Sequence, residues 1–222
     1  MIVDYDKIRK FLIGISFILF FVIYFLLLSS FITLINFDEI FTQVFLYSYG
    51  SFFKFIFPLI GFICKPIILY IITFLFIVIL WKINYKISAC WLFFTIFFAS
   101  LLDWFFNWSL SLVMKNGQLE GLRWNFPSLR VLISFIIIQF LFVFFIQAFG
   151  EKAKSRKNKS IFILILLMIL VCFSVIFLRY GTVIDVISAL LFGFAWFLTT
   201  EEIYYKYARK IRKVPIFSHS YI

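Results

Sequence analysis

The chain has 222 residues, of which 65% are hydrophobic, 24% aromatic and 14% charged, and its formal net charge is +11. Soluble domains are about 45–50% apolar and about 25% charged, so this composition excludes a water-soluble globule and a disordered chain. The three cysteines, Cys64, Cys90 and Cys172, lie far apart without a C-x-x-C pattern, which excludes a disulfide scaffold and a zinc knuckle. The composition therefore predicts an all-α polytopic membrane protein.

Six apolar stretches approach the length needed to cross a hydrocarbon core of about 30 Å, which takes roughly 20 helical residues. In chain order, these predicted spans are residues 11–37, 66–81, 87–114, 129–149, 161–178 and 183–205. The first stretch follows a charged start, but it is long and has no small-x-small cleavage site. We therefore expect it to remain as a membrane anchor.

Residues 38–65, between the first two spans, are rich in aromatic residues and are interrupted by Gly50, Pro58 and Gly61. Glycine and proline disturb the continuous backbone hydrogen bonding that lipid requires, so we expect an amphipathic or re-entrant segment at the interface. No repeat or linker divides the chain. Residues 1–222 are thus predicted to form a single integral membrane domain that ends in a basic tail, residues 206–222.

Lysine and arginine set the predicted orientation. If both ends of a six-span chain lie on one side, that side carries 15 of the 21 basic residues. The positive-inside rule then places both termini in the cytoplasm, and we favour the inner membrane of a bacterium. Anionic headgroups attract such cations at about 1 kcal/mol each, which explains the net charge better than nucleic-acid binding does.

Polar residues of the predicted outer side gather in two loops, residues 115–130 and 179–185. Their cations are Lys115, Arg123, Arg130 and Arg179, and their carboxylates are Glu120 and Asp185. Guanidinium groups match phosphate oxygens in a bidentate manner. The two loops therefore predict a site for a phosphorylated headgroup.

Structural roles also account for several of these residues. Ser128 precedes the fourth span and Asp185 lies in the first turn of the sixth, where each can accept from free backbone amides. Arg179 can extend to the interface as a snorkelling side chain. Asp103 and Asn107 lie four residues apart on one face of the third span, and ionisable residues within a span mark a pathway or a buried partner.

Two segments carry a resemblance to a known family. The sequences FPSLR at residues 126–130 and LRYGTVID at residues 178–185 resemble the second and third signature motifs of the type 2 phosphatidic acid phosphatase superfamily. Pro127, Ser128, Arg179 and Gly193 match the family pattern. The resemblance implies six membrane helices, cytoplasmic termini, an amphipathic segment after the first helix and a site at the outer face.

The residues that perform the family's chemistry are replaced. The family's glycine, acid-donating histidine, serine, nucleophilic histidine and orienting aspartate correspond to Leu129, Arg130, Leu178, Asp185 and Ala189, in that order. The first motif is not present as such, and Lys115 and Arg123 correspond to it only loosely. The single histidine, His219, lies in the predicted cytoplasmic tail, away from the outer loops.

The family mechanism needs an imidazole that titrates near neutral pH. The resemblance therefore implies a pseudoenzyme that binds a phosphorylated lipid such as a polyprenyl phosphate, or a scaffold for membrane protein partners. Two alternatives remain open: an active phosphatase or phosphotransferase with Asp185, or less favourably Ser128, as nucleophile; and a transporter or complex subunit that uses Asp103. No motif predicts a cofactor, a metal ion or a nucleic-acid partner.

Overall fold

The computed structural model describes residues 2–29, 38, 40–41, 43–44, 53–115, 125–149, 154–211, 213 and 220. Within these ranges the chain is helical, without a β-strand. The helices are α1 (Ile2–Leu28), α2 (Phe53–Ile63), α3 (Pro66–Lys82), α4 (Lys86–Lys115), α5 (Leu129–Phe149), α6 (Lys154–Phe177) and α7 (Val183–Ile211).

Three of the described helices contain a stretch long and apolar enough to cross a membrane, namely Lys7–Leu28, Lys86–Val113 and Val183–Ala208. Helices α2 and α3 meet the same criterion together, as a broken span or a re-entrant loop bent by 57°. The apolar stretches of α5 and α6 are shorter. The chain is therefore an all-helical membrane protein with three or four candidate spans, and the count of six remains a prediction.

Each predicted span coincides with one helix, but the ends differ. Helix α1 ends at Leu28, whereas the first predicted span continues to residue 37, and residues 30–37 lie outside the described residues. Helix α2 lies within the predicted interfacial segment. It packs against α6, and its Phe57 and Gly61 are buried, so this part of the segment belongs to the helical bundle.

Contacts at opposite ends of α7 define two ends of the bundle. At one end, Arg9 of α1 donates to the Leu198 carbonyl oxygen and to Glu201 of α7. At the other end, the Ser128 amide, before α5, donates to the Asp185 carbonyl oxygen of α7 over 3.2 Å. We call the first of these the terminal end. We call the second the arginine end, because it holds Arg130 and Arg179.

Helix α7 is the central helix, because it packs against α1, α4, α5 and α6. Gly193 allows the close approach of α5: a Cβ atom there would lie 3.0 Å from Cδ1 of Phe135 and 3.2 Å from Cδ1 of Leu132. Small residues permit such close contact between helices in membranes, where hydrophobic burial does not drive association.

A buried aromatic cluster joins α1, α4, α7 and the segment before α5. It consists of Phe20, Phe106, Phe126 and Phe192, whose contacting ring centroids lie 5.0 to 5.7 Å apart. Such ring pairs contribute about 0.5–1.5 kcal/mol each beyond the area that they bury. Other phenylalanines, such as Phe94 and Phe97, are exposed on the bundle surface, as suits contact with lipid.

Gly61 provides a test of how α2 packs. A Cβ atom on Gly61 would collide with Cδ1 of Leu178 and lie 3.2 Å from Oγ of Ser174, whereas a Cβ atom on Gly14 has open space. We expect Gly61→Ala to lower the free energy of unfolding by about 1–3 kcal/mol through overpacking. Gly14→Ala, the matched control, should not lower it.

The measurement is loss of helical circular dichroism during detergent denaturation of the full chain. In a Leu178→Ala background, Gly61→Ala should cost clearly less, because the colliding methyl group is gone. An equal cost in both backgrounds would show that α2 does not pack on Leu178 as described.

The terminal end provides a second test. Arg9 Nη2 and Glu201 Oε2 lie 2.9 Å apart, with side chains 13% and 12% exposed, whereas Lys10 and Glu202 lie 3.9 Å apart and are far more exposed. Arg9→Leu leaves the Glu201 carboxylate nearly buried without its partner, so we expect a loss of about 3 kcal/mol.

The same denaturation measurement should show a loss below about 1 kcal/mol for Lys10→Leu, the matched exposed pair. Adding Glu201→Leu to Arg9→Leu should recover most of the lost stability. Equal effects of Arg9→Leu and Lys10→Leu would contradict the difference in burial.

Candidate functional site

The start of α7 carries a reciprocal cap. The Thr182 amide donates to Oδ2 of Asp185 over 2.9 Å, and the Asp185 amide donates to Oγ1 of Thr182 over 3.3 Å. This is a capping box, which satisfies two of the amides that a helix leaves unpaired at its N-terminus. The Asp185 side chain is fully buried there.

Asp38 completes this cap from a distant part of the chain. The Ile184 amide donates to Oδ1 of Asp38 over 3.0 Å, and Thr182 and Val183 also bond to this carboxyl group. Burial raises the pKa of Asp38 above its ordinary value of 3.8, and these hydrogen bonds offset part of that rise. The amides that open α7 are therefore occupied by the chain's own side chains.

Asp38 predicts a pH dependence of stability. Because its pKa is higher in the folded than in the unfolded chain, the folded chain binds more protons between the two values, and stability falls as the pH rises through that window. The stability that the raised pKa of Asp38 contributes is fully present below the unfolded pKa of about 4, and it is lost above the raised folded pKa.

We expect Asp38→Asn to remove this component while retaining an oxygen acceptor for the Ile184 amide. Detergent denaturation of both proteins between about pH 4 and pH 8 should show the native chain losing more stability with rising pH. Parallel curves for the two proteins would contradict the raised pKa.

Arg179 lies in the turn that ends α6. The Arg179 amide donates to the Ile176 carbonyl oxygen, and the Tyr180 amide donates to the Val175 carbonyl oxygen, each over 3.0 Å. These are the two bonds of a Schellman motif, and Arg179 has the left-handed φ of 53° that this position requires. Its side chain is exposed at the arginine end.

Arg130, in the first turn of α5, is half-buried against the neighbouring loop. Its Cζ atom lies 3.6 Å from the centroid of the Tyr180 ring, and its Nη1 donates to the Gly61 carbonyl oxygen over 3.3 Å. The Gly61 carbonyl oxygen has no partner within the helix, because the Lys65 amide donates to the Phe62 carbonyl oxygen instead, at the break before Pro66. The broken helix therefore supplies the acceptor that orients Arg130.

The described end of the first loop, residues 125–130, lies against the second loop. Asn125 Nδ2 donates to the Tyr180 carbonyl oxygen over 2.9 Å, and the Ser128 amide bonds to Asp185 as described above. With Tyr180 stacked under Arg130, the structure brings Arg130 and Arg179 to the ends of adjoining helices. Ser128 itself is buried.

The other predicted phosphate ligands, Lys115 and Arg123, and two further residues discussed from the sequence are not part of this description. Glu120 and Arg123 lie outside the described residues, as do the side chain of Lys115 and the whole of His219. Ser220, which follows His219, accepts from the Ile87 amide over 3.2 Å at the terminal end.

Asp103 and Asn107 lie on one face of α4, as their spacing predicts. Asn107 Nδ2 donates to the Asp103 carbonyl oxygen over 3.0 Å and to Oδ2 of Asp103 over 3.2 Å. Asp103 is 4% exposed, so its carboxyl group is buried inside the bundle.

An apolar cleft of about 470 Å³ runs between α5 and α6, the two helices that lead to Arg130 and Arg179. Its lining includes Phe135, Ile138, Phe142, Leu164, Met168 and Cys172. At about 1.5 Å per residue, Phe135 lies roughly 7–8 Å below Arg130 along α5, and Cys172 lies roughly 10 Å below Arg179 along α6.

Neither candidate nucleophile is exposed at the arginine end. A nucleophile must reach the reacting phosphorus atom, but Asp185 is fully buried and its Oδ2 holds the Thr182 amide. Ser128 is 1% exposed. Within the described residues no group of three or more histidine, cysteine or carboxylate side chains can hold a metal ion.

Comparison of the chain with protein-family models, with curated proteins and with solved structures gives no match.

Some features of the site were not predicted from the sequence. Asp185 accepts a backbone amide at the start of α7, as its position predicts, but the part of Thr182 in the capping box was not predicted, although the T-x-x-D spacing before an apolar run is a local signal for it. The roles of Asp38 and Gly61 had no local signal, since Asp38 lies 146 residues from Ile184 and Gly61 lies 69 residues from Arg130.

Proposed function

We propose that the arginine end binds the phosphate group of a phosphorylated membrane lipid, as a binding protein of the lipid phosphatase type without its catalysis. The observation that carries this proposal is the placement of Arg130 and Arg179 at adjoining helix ends, on one end of an apolar bundle. Phosphate oxygens accept charge-assisted hydrogen bonds from such guanidinium groups.

Arg130 is prepared for this role by its neighbours. Among the described contacts, one of its N–H groups bonds to Gly61 and its plane lies on Tyr180, so the remaining N–H groups are held in a fixed direction. Arg179 adds an exposed cation from the adjoining turn. The amides of α7 do not compete for the phosphate, because Asp38 and Asp185 already bond to them.

The cleft between α5 and α6 supports a lipid over a soluble phosphate. Its lining residues Phe135 and Cys172 lie roughly 7–10 Å along their helices from the two arginines, and the lining is almost entirely apolar, with Gln139 as a polar exception. A headgroup at the arginines would direct its acyl or polyprenyl chain into this cleft. The class of ligand is therefore a monoester phosphate on a long hydrocarbon chain.

The burial of Asp185 and Ser128 supports binding without hydrolysis, since neither side chain is accessible to a phosphate at the surface. We also infer the topology of six spans with both termini in the cytoplasm, supported by the basic residues around the terminal end. This topology places the arginine end on the outer face of a bacterial inner membrane.

Binding of a fluorescent phosphatidic acid to the full chain in neutral nanodiscs tests the proposal. Arg130→Gln and Arg179→Gln should each weaken binding about tenfold, because a hydrogen bond to a charged group contributes about 1.5–3 kcal/mol. Lys82→Gln, which removes the same charge at the terminal end, is the matched control and should leave affinity unchanged.

Competition separates the possible sources of phosphate. Unlabelled phosphatidic acid or polyprenyl phosphate should displace the probe, whereas diacylglycerol should not. Displacement by inorganic phosphate at the same concentration would show that the hydrocarbon chain of the lipid contributes nothing to binding. Unchanged affinity in both arginine variants would refute the proposal.

A further inference from the structure

The last turns of α7, at the terminal end, expose a stripe of lysine and tyrosine. Tyr204 and Ala208 are buried and pack against the start of α4. Lys206, Tyr207 and Lys210 are exposed. Residues three and four apart lie on one face of a helix, so these three side chains share the face that points away from the bundle.

The Tyr207 ring brings two ammonium groups together. Nζ of Lys206 and Nζ of Lys210 each lie 5.7 Å from the ring centroid, and Tyr207 is 42% exposed. An ammonium group within about 6 Å of an aromatic ring is attracted by the negative face of the ring. Two positive charges, with three N–H donors each, are therefore held beside one exposed ring.

These two charges have no carboxylate partner among the described residues. The described ion pairs at the terminal end join Arg9 to Glu201 and Lys10 to Glu202 instead. Like charges four residues apart on a helix repel each other. An anion that contacts both ammonium groups would remove this repulsion, so the pair favours an anionic ligand.

The depth of the pair fits the headgroup region of a membrane. The part of α7 that is long and apolar enough to cross a membrane ends at Ala208, and the helix ends at Ile211. Tyrosine is enriched at this boundary, and lysine side chains extend from it towards the headgroups. Ile203, one turn before Tyr207, is 52% exposed and suits contact with the acyl chains below. The anion at this depth is the phosphate of a lipid.

We propose that Lys206, Tyr207 and Lys210 form a binding site for the headgroup of an anionic phospholipid, in the leaflet around the terminal end. Lysines beside a membrane attract anionic headgroups, whereas a zwitterionic headgroup carries a cation of its own. The distance along α7 to Asp185 is roughly 30 Å. The site is therefore separate from the arginine end and does not depend on the function proposed there.

Native mass spectrometry of the full chain in a neutral detergent tests the proposal, because it counts the lipid molecules that stay bound. An Arg130→Gln, Arg179→Gln background removes the cations of the arginine end. In that background we expect phosphatidylglycerol to bind more tightly than phosphatidylcholine. Lys206→Gln and Lys210→Gln should each weaken its binding about fivefold, which corresponds to about 1 kcal/mol for each lysine.

Lys82→Gln, which removes one exposed charge at the same end, is the matched control and should change the affinity less than twofold. Equal losses in Lys82→Gln and Lys206→Gln would mean diffuse attraction to the total charge and would overturn the site. Equal binding of phosphatidylcholine and phosphatidylglycerol would overturn the anionic ligand. Displacement of the lipid by glycerol phosphate at the same concentration would overturn the assignment to a lipid.

Tyr207 provides a measurement at unchanged net charge. Tyr207→Phe keeps the ring and should retain the affinity, whereas Tyr207→Leu removes the ring and should weaken binding about two- to threefold. The three substituted side chains are exposed, so the buried contacts of α7 remain in every variant. Equal affinities of the phenylalanine and leucine variants would refute the role of the ring and with it the site as described.

Discussion

Backbone groups that are released inside an apolar bundle must find partners within the protein, because lipid offers none. This constraint explains most of the polar contacts at the arginine end. The amides that open α7 are taken by Thr182, Asp185 and Asp38, and the carbonyl freed at the break between α2 and α3 is taken by Arg130. The carbonyls that end α6 are closed by the Schellman turn at Arg179.

The constraint also gives Arg130 and Arg179 two different kinds of role. The backbone of Arg179 ends α6, and its side chain takes no described part in that turn. The side chain of Arg130 makes one hydrogen bond, to the Gly61 carbonyl oxygen, and stacks one face on the Tyr180 ring. Its remaining N–H donors are left for a ligand. A phosphate site here needs no rearrangement of the helices, since contacts already required for folding position the side chain of Arg130 and the backbone of Arg179.

The periodicity and length of apolar stretches predicted the helices well, because these are local properties. The starts of α5 and α7 at residues 129 and 183 are as predicted, and α3 differs from the second span by one residue at its end. Local properties do not reveal which distant group completes a helix end. Asp38 and Ile184, or Arg9 and Glu201, are joined only by the packing of Asp38 and of α1 on α7. The sequence therefore predicted a cationic face at the site and a capping role for Asp185, whereas the part that Asp38 plays in the cap required the structure.

The arrangement of charge follows from the same limits on solvation. Several described carboxylates lie within the fold, where Asp38 and Asp185 bond to amides and Glu201 pairs with Arg9, whereas the Glu202 side chain is 45% exposed. Cations such as Arg179, Lys65 and Lys82 remain exposed at helix ends, where long side chains can reach water and headgroups. The net charge of +11 is therefore unevenly distributed. The positive charge is concentrated at the ends of the bundle, and its interior carries little of it. An anion approaching the arginine end therefore meets cations first, while the acids below are screened from it by the helix amides that they cap.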